Sequence, residues 1–411
     1  MRVQLSTAEG AALAELRYTN EGSGSFRWVP DRFRVTVEWP DDAAVPAFRL
    51  ELPAGWRALP DGERSWIVFP SGRPTLPVEL RVRALQGERA RTIAAVTLPV
   101  AFCGRNRFDP ERHRLPWANR IEELGEVEPE PRHFRATFRW ALAPGALFRG
   151  LYRDVVGLRR RPDGSVEGGL CTGLSRSALA QALGRLDPGA AVRDMVLVLH
   201  GRQLSDRALL AGLPWFLFPS PRRAYRAFVR DLLERGWSDR CYDVNVPRPW
   251  RRDVVRALLG QGHTVVPYAF CQRAAERAHV WVYDPNLPDR PEATVVAFDL
   301  QRDRYDYPPL GVDGARTTVV AVPLDAYLRG RTAVLASLGN LLLRAAERVP
   351  RRGVVPLLVA AASILAALVL AGFRRRESGR RRSGRSSNAR WLALRGASRS
   401  AAAGAAWASR R

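Results

Sequence analysis

The sequence predicts an α+β protein with a helix-plus-antiparallel-sheet domain, preceded by an all-β domain and followed by one long apolar helix. Three observations predict this order. Short runs with the period of a strand fill the first quarter of the chain, helical and β-branched runs mix in residues 104–330, and residues 353–373 contain no charge. A chain of 411 residues is long enough for two domains with ordinary cores.

Residues 1–103 are predicted to form a β-sandwich-like domain. Phe33, Val35 and Val37 alternate with polar residues, as in a strand with one buried face. Turn-rich stretches separate this strand from further short runs at 47–52, 65–69, 78–85 and 93–100. No polar cluster in this domain looks catalytic. It is therefore either a recognition module or a packing partner for the second domain.

Residues 104–330 are predicted to form the second domain, after a charged and proline-rich lead-in. Helical periodicity marks residues 222–235 and 251–259, and short apolar runs predict strands at 195–199, 294–299 and 317–322. His113 and His133 are interpreted as structural side chains rather than metal ligands.

A glycine-rich loop, Gly168-Gly169-Leu170-Cys171, leads into a helical pattern that ends at Gly184. Cys171 is therefore expected in the first turn of a helix, where free N–H groups and the helix dipole favour a thiolate. Because glycine has no Cβ, Gly168 and Gly169 would let a substrate backbone approach closely. The alternative is that Cys171 is a small buried core residue.

Two β-rich runs downstream supply further reactive side chains. His263 begins the run His263–Phe270, and Asp284 ends the run His279–Asp284. A hairpin centred near Arg273 would place His263 and Asp284 on neighbouring strands, within cross-strand reach. A nucleophile, a general base and an orienting carboxylate are the three groups that covalent acyl transfer needs.

These motifs resemble the bacterial papain-like cysteine hydrolases related to the C39 peptidases. The likeness rests on Gly-Gly-Leu-Cys-x-Gly-Leu, Gly-His-x-Val-x-x-Tyr and Tyr-Asp-Pro-Asn, and on a lead-in at 108–119 that is similar to the one before the cysteine in that family. The resemblance implies a papain-like domain, with Cys171 as nucleophile, His263 as general base and Asp284 as orienting acid. Gly168, Gly169 and Asn286 are the expected substrate-binding residues.

The chain departs from the family at one position. Papain-like enzymes usually carry a glutamine a few residues before the cysteine as an oxyanion donor, but residues 163–167 read Asp-Gly-Ser-Val-Glu. One donor would be the Cys171 backbone N–H, and the sequence does not identify the second.

The function predicted from these residues is a membrane-anchored peptidase or amidase that forms a thioester at Cys171. Two alternatives remain open. One is a catalytically inactive papain-like domain that binds a peptide or a partner at the membrane. The other is an α/β-hydrolase, since Gly169-x-Cys171-x-Gly173 fits a nucleophile elbow, although the residues before it are charged and His263 precedes Asp284.

Composition narrows the set of partners. The net charge is +24, and all 65 basic residues are arginine, which indicates a coding bias rather than a binding specificity. No nucleic-acid-binding motif accompanies the charge, so no specific nucleic-acid partner is expected. The four cysteines fit neither a CxxC metal site nor a disulfide framework, and they suggest a reducing compartment. No metal or cofactor is expected, and the sequence does not indicate an oligomeric state.

The C-terminal part is predicted to attach the protein to a membrane. Residues 331–352 read as a juxtamembrane helix, and residues 353–373 as a single transmembrane helix. Residues 374–411, with twelve arginines and one acid, read as a disordered tail. Without an N-terminal signal peptide the bulk of the chain is expected in the cytoplasm, but arginines on both sides of the span leave its orientation open.

Overall fold

Antiparallel strands dominate the computed structural model, which describes residues 1–20, 24–40, 45–86, 89–139, 146–186, 191–247, 262–313, 317–335 and 337. Nearly all of these residues belong to the compact unit of residues 1–336. The described strands are β1 Arg2–Thr7, β2 Leu16–Thr19, β3 Arg27–Val29, β4 Phe33–Glu38, β5 Ala47–Glu51, β6 Arg57–Pro60, β7 Ser65–Phe69, β8 Glu79–Gln86, β9 Arg89–Thr97, β10 Val100–Arg105, β11 Leu158–Arg160, β12 Val166–Gly168, β13 Arg240–Pro247, β14 His263–Gln272, β15 Arg277–Tyr283, β16 Val295–Asp299, β17 Arg304–Tyr307, β18 Val312–Asp313 and β19 Thr317–Pro323.

Helices lie between β10 and β13 and again after β19. The described helices are α1 Pro110–His113, α2 Ile121–Leu124, α3 Pro131–Thr137, α4 Ala146–Val156, α5 Cys171–Ala182, α6 Val192–Gly201, α7 Asp206–Leu217, α8 Pro221–Arg235 and α9 Leu324–Leu328. Local sequence explains the bounds of α8. The Ser220 hydroxyl accepts from the Arg223 N–H, Pro221 fits the first turn, and Gly236 ends the helix in the left-handed conformation.

The N-terminal strands form two small sheets, ordered β1-β4-β7-β6 and β5-β8-β9. The apolar face of β4 explains its position, because Phe33, Val35 and Val37 are buried while the residues between them are more exposed. Residues of both sheets share one core, with Val68 of β7 and Leu80 of β8 among its members.

A ten-stranded sheet joins this region to the rest of the unit. Its order is β18-β17-β16-β15-β14-β10-β2-β3, and β13 pairs with both β14 and β19. β14 is the central strand. Its beginning pairs with β13, its middle with β15 and its end with β10. β10 spans residues 100–105, so this sheet continues across the predicted domain boundary at residue 103.

Helix α5 lies against β14 and beside α6. Leu174, Ala178 and Leu179 are buried within the core beneath β14, which fixes the helix on the sheet. The start of α5 therefore lies next to the start of β14, and this contact positions the site described below.

The structure confirms the prediction of a mixed helix and sheet protein. Residues 195–199, however, were predicted as a strand and belong to helix α6. The prediction was wrong because a short apolar run fits either a buried strand or one face of a buried helix. The predicted helix at 251–259 and the predicted span and tail at 353–411 lie outside the described residues. No helix within the described ranges is long and apolar enough to cross a membrane.

Candidate active site

The loop before Cys171 depends on its first glycine. Gly168 ends β12, which pairs with β11, and it has a φ of +88°. A Cβ at this position would lie 2.0 Å from the carbonyl oxygen of Gly157. Gly168 is thus required for the close approach of two segments of the backbone. That role is distinct from the predicted contact with a substrate.

Asn119 holds the rest of this loop. Its Oδ1 accepts a hydrogen bond from the Leu170 N–H at 2.7 Å, and its Nδ2 donates to Asn286 Oδ1 at 2.9 Å. Its backbone N–H also donates to the Pro285 carbonyl at 2.7 Å. Asn119 therefore ties the residues before Cys171 to the turn that follows Asp284.

Cys171 is the first residue of α5, as the sequence predicts, and its side chain is partly exposed. The backbone N–H groups in the first turn of a helix have no partner within the helix. The thiol therefore lies at the positive end of α5, where a thiolate is stabilised.

His263 and Asp284 meet across the β14–β15 hairpin. The His263 Nε2 and Asp284 Oδ1 atoms are 2.6 Å apart, and the two residues are only 8% and 1% exposed. Val266 pairs with Tyr283, the residue before Asp284, and the register of the two strands shifts between Pro267 and Ala269. Nε2 contacts Asp284, which leaves Nδ1 as the ring nitrogen available to Cys171, and the Cys171 thiol is hydrogen-bonded to His263.

Two further groups fix the Asp284 carboxylate. The Asn286 backbone N–H donates to Oδ1 at 2.7 Å, and the Tyr307 hydroxyl donates to Oδ2. Tyr307 lies on β17, a strand that the sequence analysis did not predict. In β17, Tyr305 and Tyr307 alternate with charged residues, and both tyrosines are buried. This alternation is the sequence signal that could have placed Tyr307 on the buried face of a strand.

The electrostatics of the three side chains favour an ion pair. Burial alone would raise the pKa of the Cys171 thiol, but the hydrogen bond and charge of His263 lower this pKa below its ordinary value. Burial would lower the pKa of His263, but the hydrogen bonds to Asp284 and Cys171 raise it to about 10. The pKa of Asp284 is lowered, because its hydrogen bonds outweigh its burial. The shifts of Cys171 and His263 act in the same direction, because each favours a Cys171 thiolate beside a His263 imidazolium.

A buried polar network, which we call the Arg176 network, supports the start of β14. Arg176 of α5 is fully buried, and its Nη2 donates to both carboxylate oxygens of Asp243 of β13, at 3.0 and 3.1 Å. The Thr264 hydroxyl donates to Asp243 Oδ1 at 2.7 Å, and therefore accepts from the Thr172 hydroxyl at 2.8 Å. The guanidinium of Arg176 also lies over the Tyr327 ring, 3.4 Å from its centroid.

Thr264 connects this network to the sulfur. Its backbone N–H interacts with Cys171 and favours the thiolate. Its carbonyl accepts from the Ser175 hydroxyl at 2.7 Å, which binds β14 to α5 a second time. The network thus holds the strand that carries His263 against the helix that carries Cys171.

A small cavity of about 60 Å³ opens beside the Arg176 network. Thr172, Thr264 and Asp243 give it a polar side, and residues of α7 and β19 give it an apolar side. Thr172 and Thr264 are the chain neighbours of Cys171 and His263. Neither Cys171 nor His263 itself lines this cavity.

The other cysteines differ from Cys171. Cys241 is buried, and burial raises the pKa of its thiol to about 12. Cys103 and Cys271 form a disulfide, whereas the sequence predicted no disulfide framework; no local pattern pairs these two cysteines, because they are 168 residues apart. They lie opposite each other in the β10–β14 pairing. Among the described residues, Cys171 is therefore the free cysteine that is partly exposed and whose thiol has a lowered pKa.

Two further histidines, His279 and His200, have surroundings that differ from those of His263. His279 is exposed on β15, opposite Cys271. His200 of α6 lies under the start of α5, where its Nδ1 accepts from the Gly173 N–H at 3.3 Å and its Nε2 contacts the Val155 carbonyl at 2.9 Å. Burial lowers the pKa of His200 to about 4, so its ring is neutral.

The structure therefore brings Cys171, His263 and Asp284 together, and it places Gly169 and Asn286 around Asn119 beside them. Sequence reasoning missed Asn119, Tyr307 and Thr264. No group of three metal-ligating side chains is found in the part of the chain that the structure describes. No family model, no curated protein and no solved structure matches this chain.

Proposed function

We propose that this protein is a cysteine hydrolase that cleaves peptide or amide bonds through a thioester at Cys171. The observation that carries the proposal is the buried His263–Asp284 pair, 2.6 Å apart, set against a thiol whose pKa is lowered. Nucleophile, base and orienting acid are the three roles of this chemistry.

The reaction proceeds in two steps. The Cys171 thiolate attacks the carbonyl carbon, and the His263 imidazolium gives its proton to the leaving amine, so that a thioester remains. His263 is then neutral and removes a proton from water, which attacks the thioester and releases the acid and the thiolate. Asp284 keeps the ring of His263 in one orientation and stabilises its protonated form.

The papain-like assignment is supported by the arrangement of elements around the site. A nucleophile at the start of a buried helix and a base on the adjoining antiparallel strand suit that family better than a nucleophile elbow. An elbow follows a strand of the central sheet, whereas β12 pairs only with β11 among the described strands. The order of His263 before Asp284 also argues against the α/β-hydrolase alternative.

The proposal includes attachment to a membrane through residues 353–373. Its support comes from the sequence, in which 21 residues without a charge lie between arginine clusters. Peptide or amide substrates would then reach Cys171 close to a membrane.

The inactive papain-like binding module is the second candidate, and one observation favours it. Residues 163–167 contain no glutamine to serve as an oxyanion donor. Such a module would bind a peptide near Gly169 and Asn286 without forming a bond to Cys171.

Selective labelling tests the proposal against this alternative. We expect a peptidyl acyloxymethyl ketone, which requires an activated cysteine, to label Cys171 and not the buried Cys241 when the sites are read by mass spectrometry. Asp284→Asn should slow labelling, because the ring of His263 loses its orientation. A folded protein that leaves Cys171 unlabelled would be a binding module and not a hydrolase.

A further inference from the structure

We propose that the side-chain amide of Asn119 supplies the second oxyanion donor at this site, in place of the glutamine that the chain lacks. The inference rests on the proposed function. Asn119 lies 52 residues before Cys171. The usual glutamine, in contrast, lies only a few residues before the catalytic cysteine.

The hydrogen bonds fix the orientation of the amide. The Leu170 backbone N–H can only donate, so the Asn119 atom that it contacts at 2.7 Å is the oxygen. The other end of the side chain is therefore the NH₂ group. Its contact with Asn286 Oδ1 at 2.9 Å agrees with this assignment.

The NH₂ group has one hydrogen to spare. It carries two N–H bonds, and Asn286 Oδ1 accepts one of them. Among the residues that the structure describes, no acceptor is found for the second. Asn119 is partly exposed rather than buried.

The NH₂ group lies against Gly169, two residues before the nucleophile. A Cβ on Gly169 would lie 3.3 Å from Asn119 Nδ2, closer than most side chains tolerate. The absence of a side chain at Gly169 therefore leaves room for the amide two residues before Cys171. The backbone bond from Asn119 to Pro285, at 2.7 Å, holds the residue in place.

The second N–H of Asn119 would donate to the oxyanion that forms during attack by Cys171. When the Cys171 thiolate bonds to a carbonyl carbon, the electrons of the C=O π bond move to the oxygen, which becomes an oxyanion. The N–H of Cys171 and the free N–H of Asn119 would both donate to it. When the carbonyl re-forms, the bond to the leaving group breaks, and that group departs with the electron pair.

Two reagents separate this role from simple support of the fold. p-Nitrophenyl acetate acylates a thiolate through an oxyanion and releases p-nitrophenolate, whereas iodoacetamide alkylates it by displacement of iodide without one. The ratio of the two rate constants at Cys171 therefore reports oxyanion stabilisation and is independent of the thiolate fraction. It is measured on the full chain by mass spectrometry.

We expect Asn119→Asp, which keeps the acceptor for Leu170 but has no N–H, to lower this ratio by about a hundredfold to a thousandfold. Asn20→Asp is the matched control, because Asn20 also links backbone groups through both ends of its amide, at Arg105. Its ratio should stay at the wild-type value. If Asn119→Asp does not fold, as judged by circular dichroism, Asn119→Ala is measured in the same way with the same expectation.

The ratio of the two rate constants and the wild-type reactivity of Cys171 test two different claims. A ratio unchanged in the Asn119 variant, with both reactions slowed together, would make Asn119 a structural residue only and would leave the proposed hydrolase intact. A wild-type Cys171 that reacts no faster than an ordinary thiol with either reagent would instead contradict the proposed function, and the role of Asn119 with it.

Discussion

The reactivity of Cys171 depends on a few side chains that act at short range. Burial has the largest effect on the pKa of the Cys171 thiol and raises it, and His263 is the strongest of the groups that lower it; Asp284 acts through His263. Thr264 contributes through its backbone N–H, which its own hydroxyl holds in position by donating to Asp243. The contact from the His263 side chain and the contact from the Thr264 backbone can be tested separately by substitution.

Thr264→Val tests this backbone contribution. Valine keeps the shape of threonine but removes the hydroxyl, so the N–H is held less firmly towards the sulfur. We expect the pH midpoint of Cys171 alkylation to rise by roughly half a unit to one unit, since one hydrogen bond is worth about 1 kcal/mol. The midpoint is measured with iodoacetamide over a pH series.

Two variants control this experiment. Thr264→Ser keeps the hydroxyl and should restore the wild-type midpoint. Thr318→Val removes a buried hydroxyl on β19 for which the described residues offer no partner, and it should leave the midpoint unchanged. A midpoint that stays at the wild-type value in Thr264→Val would exclude Thr264 from the electrostatics of the thiol.

At the scale of elements, the ion pair of the Arg176 network joins α5 to β13. Both oxygens of Asp243 are engaged by Arg176, and Arg176 has no exposure to water. Removal of one partner of a buried pair leaves the other charge uncompensated. The loss then exceeds the net contribution of the intact pair.

Asp243→Ala should therefore lower the free energy of unfolding by about 3–5 kcal/mol. Denaturant titration measures this change. Glu167→Ala breaks the exposed pair with Arg161 and should leave the free energy of unfolding nearly unchanged, because water screens this pair. A similar small cost for Asp243→Ala would mean that the pair does not fasten α5 to the sheet.

The elements also show what sequence patterns can predict. The alternation at Phe33–Val37 and the helical period of residues 222–235 each have one structural interpretation, and both elements form as predicted. Residues 195–199 have two interpretations, and the predicted strand is a helix. Tertiary packing favours the helix at residues 195–199, where Leu199 is fully buried in the core.

The sequence predicted those parts of the candidate site that depend on short stretches of the chain. Cys171 at a helix start, and His263 near Asp284 in a hairpin, follow from patterns of about twenty residues or fewer. Asn119 and Tyr307 approach the site from 52 residues before Cys171 and 23 after Asp284, through loop and sheet contacts. Such partners depend on the complete fold, and a single sequence does not report them.

At the scale of the whole molecule, the ten-stranded sheet links the N-terminal strands to the candidate site. β10 pairs with β2 on one side and with β14 on the other. Phe102 and Phe270 pack edge to face at this junction, 4.9 Å apart. Residues 1–103 thus contact the strand that carries His263, at the end remote from it.

The proposed membrane anchor belongs to this scale as well. If residues 353–373 span a bilayer, the full chain should stay in the membrane pellet after carbonate extraction, because a helix of this length buries its apolar surface in lipid. A chain that ends at Arg352 should appear in the supernatant. Release of the full chain by carbonate would contradict the anchor.

The central claim is that Cys171, His263 and Asp284 act as one unit, and the pH dependence of Cys171 alkylation tests it most directly. An ordinary thiol titrates near pH ~8.5. We expect the midpoint of Cys171 to lie well below this value, and His263→Ala to move it back up, because the imidazolium that stabilises the thiolate is lost. His279→Ala, on the exposed face of β15, should leave the midpoint unchanged. An unshifted midpoint in the wild type, or an equal effect of His279→Ala and His263→Ala, would contradict the claim.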